Sequence, residues 1–437
     1  MKYQLLTDKG NIYYFDNYQN IFYDKFGNYL NLKARDEALP FYCYSDNFKD
    51  IAYRFEDRIP GKERYVDLNN LFHVKFQLGL NCNYKCLYCS QRICGQQEVK
   101  PIDIERFKSL CRQSKLDWPN IKAIEFWGGE PFVYWKYIKD LPKFFREELG
   151  FNGFFHITTN VALYDDEKSD WSFENNVHYM FSHDGVNHKA QRSEEDWLDD
   201  NHKCQLVKER LKDSPYSSVH AVFAPMNDTN LWHTMELFKK RLGDRATILM
   251  NTGMRCDSTN QYLMAEFTPE KVESLKKYWF EIMTQCFDLS NPYYKMMGAI
   301  RYYVKERIER MINGRTAGSF VHNCPTKSRH SLVFTMDGQY IPCHGSSLEQ
   351  GLSAGDILHL DQCRDFGYTS VHHRTLCKDC PFITQCGGPC GFYNDRSVLY
   401  FCKSTIWNHE TTFKACFYML TGEYIEQFIK VNKECNQ

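Results

Sequence analysis

Between residues 71 and 290 the chain alternates short apolar runs with longer amphipathic stretches. The runs read LFHVKFQL (71–78), IKAIEFW (121–127), GFFHITT (153–159), VHYMFS (177–182), SSVHAVF (217–223) and ATILMN (246–251). Their length and their content of aromatic and β-branched residues mark them as strands. Helical spacing follows most of them, at 102–115, 132–148, 193–212, 229–242 and 268–288. The stretch after the third run is too short and polar to assign. Parallel neighbours need a long crossover, so strands alternating with helices imply a parallel sheet covered by helices. Six units are too few for a closed eight-stranded barrel; they suit an open, partial barrel or a doubly wound sheet. In both, ligands gather beyond the C-terminal ends of the strands.

The flanks read differently. Residues 1–70 are rich in Tyr, Phe, Asn and Asp, and QLLTDKG, NIYYFD and NIFYDKFGNYL suggest a small meander turning at Lys9-Gly10 and Phe26-Gly27-Asn28. We take this as a strand-rich N-terminal unit, residues 71–300 as the α/β domain and residues 301–437 as a cysteine-rich domain. Within the last, a helix is expected over 293–313, a hairpin over SLVFTMDGQYIPC (331–343) turning at Asp337-Gly338, and a final helix over 405–432.

Composition narrows the class. The 437 residues carry 54 basic and 55 acidic side chains, a balance that calls for neither nucleic acid nor an acidic lipid surface as partner. No window approaches the eighteen consecutive apolar residues of a membrane span, and MKYQLLTDKGNIYYF has no apolar run followed by a cleavage site. A cytoplasmic location is the expectation. Nineteen cysteines in a reducing compartment then point to metal rather than disulfides.

Three of them, Cys82, Cys86 and Cys89, lie in LGLNCNYKCLYCS directly after the first strand, with Tyr88 before the last. Structural zinc wants four ligands, so three thiols suit a metal with an open position, unless a zinc knuckle borrows a distant fourth ligand. The spacing C-x3-C-x2-C resembles that of the radical SAM superfamily. FWGGEP, after the second strand, resembles its GGE motif, with Gly128 and Gly129 admitting a close backbone approach and Glu130 receiving an ammonium. SHDGVNHKAQR (182–192) resembles the SLDG…HDxxR segment of peptide-modifying members, although His183 and Lys189 stand where Leu and Asp are usual. TTN (158–160) resembles a TNG-type stretch, with Val161 in place of the glycine. The resemblance implies a partial (β/α)6 TIM-like barrel. It also implies a [4Fe–4S] cluster on the three cysteines, and S-adenosylmethionine contacted by Tyr88, Gly128, Gly129, Glu130, Asn160, Ser182 and Arg192. Cleavage of that cofactor gives a 5′-deoxyadenosyl radical that takes a hydrogen atom from the substrate.

A second set runs Cys324-x13-Gly338-x4-Cys343, Cys377-x2-Cys380-x5-Cys386-x3-Cys390, then Cys402. It resembles the SPASM domain at all seven cysteines and the glycine. That resemblance implies two auxiliary [4Fe–4S] clusters, one on Cys377, Cys380, Cys386 and Cys402 and a nearer one on Cys324, Cys343 and Cys390. Gly318 stands where fuller members carry another cysteine; His322, Cys363, a substrate group or nothing fills that place. Cys43, Cys94, Cys111, Cys204, Cys256, Cys286, Cys363, Cys416 and Cys435 read as ordinary thiols.

SPASM-bearing relatives mostly modify peptides or proteins, so the resemblance implies a peptide maturase, an oxidoreductase in class, joining side chains of a ribosomally made peptide by a carbon–carbon or thioether bond. Its partners would be a peptide or small-protein substrate and an electron donor of the flavodoxin or ferredoxin type. His344 follows Cys343 where sulfatase-maturing relatives carry an Asp base, and a histidine can take a proton near neutral pH. The alternatives are sulfatase-maturase-like oxidation of a protein Cys or Ser, dehydrogenation of a small molecule, and a non-catalytic metal scaffold. Many maturases carry a small N-terminal domain that adds the substrate's leader peptide as an extra strand, a role open to residues 1–70.

Overall fold

The computed structural model describes residues 2–32, 64–65, 68, 71–89, 101–223, 227–244, 246, 248–252, 267–312, 331–341, 355–365, 373–388 and 395–431. Its strands are β1 (Lys2–Thr7), β2 (Ile12–Asp16), β3 (Ile21–Tyr23), β4 (Arg64–Tyr65), β5 (His73–Gln77), β6 (Ala123–Trp127), β7 (Phe154–Thr159), β8 (Val177–Ser182), β9 (Ser218–Phe223), β10 (Ile248–Thr252), β11 (Ser331–Thr335), β12 (Tyr340–Ile341), β13 (Arg364–Asp365) and β14 (Ile425–Lys430).

All six expected strands form, and they lie side by side in chain order, β10-β9-β8-β7-β6-β5. Every pairing among them is parallel. A doubly wound sheet reverses its strand order at a switch point, and this one does not, so the partial-barrel arrangement is the one adopted. The expected hairpin extends it: β11 pairs parallel to β5 and β12 closes antiparallel on β11. The tail of the chain is thereby built into the main sheet beside the first strand.

Helices cover the sheet. Ile104–Gln113, Asp166–Glu174, Asn201–Asp213, Leu231–Leu242 and Pro269–Gln285 each start at a side-chain cap, from Asp103, Asp165, Asp200, Asn230 and Thr268 respectively. Asp200 explains why the third of the expected helical stretches begins late: its carboxylate accepts from the N–H groups of His202 and Lys203, and a 3-10 turn (Trp197–Asp199) precedes it. The polar stretch after β7 is helical, and Lys168 from it reaches Asp165. On the covered face Phe76, Phe107, Phe126, Phe145 and Phe155 pack ring against ring.

The opposite face is polar. Lys75, Glu125 and His156 sit in register across β5, β6 and β7. Lys75 Nζ lies 2.6 Å from Glu125, with His73 at 3.3 Å and His156 at 3.8 Å. Against burial, which raises it, the Lys75 ammonium holds the Glu125 carboxyl well below the usual carboxylate range.

The final helix spans Asp395–Thr421 and stops where Gly422 adopts a positive φ, and the segment expected to continue it is β14. That strand pairs with β1, giving a sheet ordered β14-β1-β2-β3. The N-terminal meander therefore packs on the last helix, with Phe15 and Phe22 against Phe413 and Tyr13 against Phe417. Glu423 ties the two ends together by accepting from Thr7, Asn11 and Tyr13. Among the described residues no helix is long and apolar enough to cross a membrane.

Candidate radical and cluster sites

The three-thiol loop leaves β5 and crosses the C-terminal ends of β6, β7 and β8. Gly128 and Gly129 let it do so: a Cβ on Gly128 would run into the carbonyl of Gly79, and one on Gly129 into those of Leu80 and Asn81. With no side chains in the way, the N–H groups of Gly129 and Glu130 donate to the carbonyls of Gly79 and Asn81, each at 3.0 Å. In this structure the two glycines thus seat the cysteine loop. Tyr134, which the motif reading missed, fixes the loop from below, its hydroxyl accepting from the Asn81 N–H at 3.0 Å.

Glu130 lies 1% exposed at the end of β6. Its carboxylate accepts from the Phe132 N–H (3.1 Å), the Thr159 hydroxyl (2.9 Å) and the Asn160 N–H (2.7 Å). Burial raises its pKa to about 7 despite these donors. Asn160 then reaches the loop: its amide donates to Asn83 at 2.8 Å and lies 3.8 Å from the Cys82 sulfur. Val161 takes a left-handed φ of 69°, which a β-branched residue adopts only under strain and a glycine adopts freely. This is the physical reason a TNG-type stretch carries glycine there.

Arg192 is buried and finds a carboxylate, as expected of it, but the carboxylate is Asp184 of its own chain, at 3.2 Å. Tyr88 completes the network: its hydroxyl donates to Asp184 at 2.7 Å and accepts from Arg192 at 2.6 Å. Asp184 also accepts from the Val222 N–H of β9. One buried ion pair so links the cysteine loop to two strand ends. Asp184 is the central residue the sequence reading passed over, although it stands inside SHDG. Ser182 is buried at the end of β8, and its carbonyl accepts from the Trp197 indole. His183 holds the following turn, accepting from the Gly185 N–H at Nδ1 and pairing with Asp196 at Nε2 (2.7 Å). His183, His188 and Asp196 lie close enough for one ion, but both His183 nitrogens are engaged, so the trio reads as a latch on the loop.

The three thiols lie within electrostatic reach of one another. Burial pushes the Cys82 thiol up to about 12, with Cys86 and Cys89 adding to the rise; Cys86 is also raised by burial, opposed by Arg192. Among the described residues no fourth cysteine joins them. Three neighbouring thiols, one buried and two half-buried, fit a [4Fe–4S] cluster with one open iron, and loading it must displace the thiol protons.

In the tail, Cys377, Cys380, Cys386 and Cys402 form a second nest. Burial pushes Cys380 and Cys402 up to about 12, and the other thiols of the nest raise them further. Cys377, Cys380 and Cys402 pack with Ile383 and Val398. Four thiols in reach of one another fit a fully ligated cluster. The N-terminal meander supports it from outside: Asn17 donates to the carbonyls of Cys380 (2.9 Å) and Lys378 (3.4 Å), and Tyr3 donates to that of Asp379. Cys324, Cys343, His344 and Cys390, with Gly318 and His322, lie outside the described residues.

Similarity to known proteins agrees with this geometry. The radical SAM superfamily model matches residues 76–238. No curated protein matches the chain in sequence. Native anSMEcpe with bound AdoMet and Cp18Cys peptide is 16% identical, with a TM-score of 0.57 over 80% of this chain and 99% of that one. The same protein with Kp18Cys peptide gives 18%, 0.55, 80% and 99%. Streptococcus suis SuiB is 15% identical, with a TM-score of 0.47 over 73% of each chain. The matched segment begins on β5 and carries the strand ends where the first thiols gather, so the likeness to the radical SAM superfamily falls on residues 76–238, the part of the chain that holds the three-thiol loop.

Proposed function

We propose that this chain is a radical SAM enzyme that modifies a ribosomally made peptide, forming a carbon–carbon or thioether cross-link between side chains. The observation that carries this reading is the division of the described thiols into an incomplete set of three at the strand ends and a complete set of four in the tail. An incomplete set suits a cluster that must bind a further ligand, and a complete one suits a cluster that passes electrons. The anSMEcpe structures, which hold AdoMet and a peptide on a similar fold, support a peptide as substrate.

Cys82, Cys86 and Cys89 would hold the first cluster. With S-adenosylmethionine bound, that cluster supplies the radical that removes a hydrogen atom from the substrate. The chain's own residues do the rest. Gly128 and Gly129 hold the loop against β6, Glu130 and Asn160 brace it from β6 and β7, and the Tyr88–Asp184–Arg192 network anchors it to β8 and β9. Ser182 stands at the same rim and is assigned to cofactor contact. The polar face carrying Lys75, Glu125 and His156 offers hydrogen-bonding groups to a substrate backbone. His344 is assigned as proton acceptor, and Cys324, Cys343 and Cys390 as ligands of a third cluster.

Anaerobic reconstitution tests the reading. Three clusters require about twelve irons per chain, together with cleavage of S-adenosylmethionine to 5′-deoxyadenosine and a mass change in a peptide encoded beside the gene. Zinc without cleavage would overturn the enzyme reading. Turnover of a small molecule with no peptide altered would overturn the peptide. A leader strand, if added, would pair with β14, since residues 29 and 30 already cover the outer side of β3. Leader peptide should then slow hydrogen exchange at 425–430; protection confined elsewhere would sink that arrangement.

A further inference from the structure

Arg307 brings a positive charge into the interior with no direct ion pair, the carboxylate of Glu306 acting on it only at a distance. It lies 3% exposed on the helix Gly298–Ile312, and among the described residues it forms no ion pair. Its Nη1 donates to the carbonyl of Gln385, its Nε has no partner, and its guanidinium stacks 4.6 Å from the Tyr303 ring. A buried charge left uncompensated costs several kcal/mol, so a fold that keeps one has an anion to place beside it. The residue after Gln385 is Cys386. Arg310, one helical turn from Arg307, reaches the same turn of chain, donating to the carbonyls of Thr384 and Gln385, but its charge is shared with Glu306.

The missing anion is at hand if the tail nest is an iron–sulfur site, the reading on which this step rests. Four thiolates around a cubane core carry net negative charge, and the reduced cluster carries one more negative charge than the oxidised one. A fixed cation in a low-dielectric pocket favours the reduced form more strongly. We infer that Arg307 is the counter-cation of the four-cysteine cluster and raises its reduction potential. Two other cations lie near: Arg310 is partly neutralised by Glu306, and Arg374 acts on Cys386 and Cys402, while His409, beside Arg307 and Arg310 with neither ring nitrogen bonded, is kept uncharged. The couple moves one electron and no proton, from the reductant into the cluster.

The experiment uses the full chain, reconstituted and poised with dithionite and mediators, with each reduced cluster counted by electron paramagnetic resonance. The four-cysteine signal is identified as the one lost in Cys377→Ala. At the wild-type midpoint, Arg307→Met should lower the ratio of reduced to oxidised cluster about tenfold, a fall of about 59 mV for one electron. Arg307→Lys, which keeps the charge, should restore most of it. A midpoint in the Met variant at or above that of wild type, or the same fall in the Lys variant, overturns the inference. If Arg307→Met fails to hold iron while Arg307→Lys holds it, the counter-charge role stands. Loss from both assigns Arg307 to shape and overturns it. Zinc in the nest would overturn the cluster reading and this inference with it, whereas an iron cluster of unchanged midpoint would overturn this inference alone.

Discussion

The two described cysteine nests face the same physical demand and meet it with opposite electrostatics. Beside the three-thiol loop the buried cation, Arg192, is closed by Asp184 and Tyr88. Beside the four-thiol nest Arg307 forms no ion pair among the described residues. The first nest is held by a neutral frame of backbone bonds and one compensated pair, and leaves its charge balance to whatever binds its open position. The second brings its own positive charge to a closed set of ligands. If both nests hold clusters as proposed, the two electrostatic settings would suit one strongly reducing centre and one that accepts electrons.

The sharpest way to break this contrast is to remove ligands. Cys82→Ala, Cys86→Ala or Cys89→Ala should abolish 5′-deoxyadenosine formation, measured by chromatography. Cys377→Ala or Cys380→Ala should leave some cleavage uncoupled from product. Full product from either tail variant would show that the nests do not divide the work.

A smaller effect separates the frame of the first nest from its ligands. The buried Glu130 carboxyl has its pKa raised from 4.5 to about 7. A raised pKa contributes stability below pH 4.5 that is lost as the pH rises to 7, here about 3 kcal/mol at 1.36 kcal/mol per unit. In the cluster-free protein, Glu130→Gln should flatten that stretch of the stability profile by urea unfolding. An unaltered slope would mean that Glu130 is already ionised inside the fold.

Next comes the outer support of the second nest. Asn17→Ala removes the side chain that donates to the carbonyls of Cys380 and Lys378, leaving buried acceptors unmet at about 2 kcal/mol. Iron should be lost selectively from the tail, seen as a lower iron count with 5′-deoxyadenosine formation retained. Equal loss from both nests would dissolve the distinction. The smallest change is Tyr88→Phe, which deletes the hydroxyl between Asp184 and Arg192 and should lower stability by about 1 kcal/mol. It should leave the tail signals untouched in the resonance spectrum.

Much of this was legible in the chain because the signals are local. The strands βα-spaced from 71 to 251 announce themselves by composition within a few residues, and the thiols at 82, 86 and 89 by spacing. What escaped depends on partners far away in sequence. Nothing within SLVFT says that it will pair with HVKFQ, and nothing within KYQLLT says that it will pair with IEQFIK. Gly422 did carry a local stop signal for the last helix. Arg192 shows the other limit: its need for a carboxylate could be read, but not that Asp184 would supply it.

The pairing of β1 with β14 sets a clock on biosynthesis. Thr7 and Glu423 are separated by 416 positions yet share a hydrogen bond, so the meander that braces the tail nest cannot be completed when it leaves the ribosome. At about 5–20 residues per second, roughly 20–80 s of translation elapse before its partner strand exists. The main sheet can order itself strand by strand during that interval, while the tail nest must wait. The bracing of the tail nest by the meander is therefore completed only after residue 430 has emerged, whereas the three-thiol loop and the strand ends that seat it emerge long before.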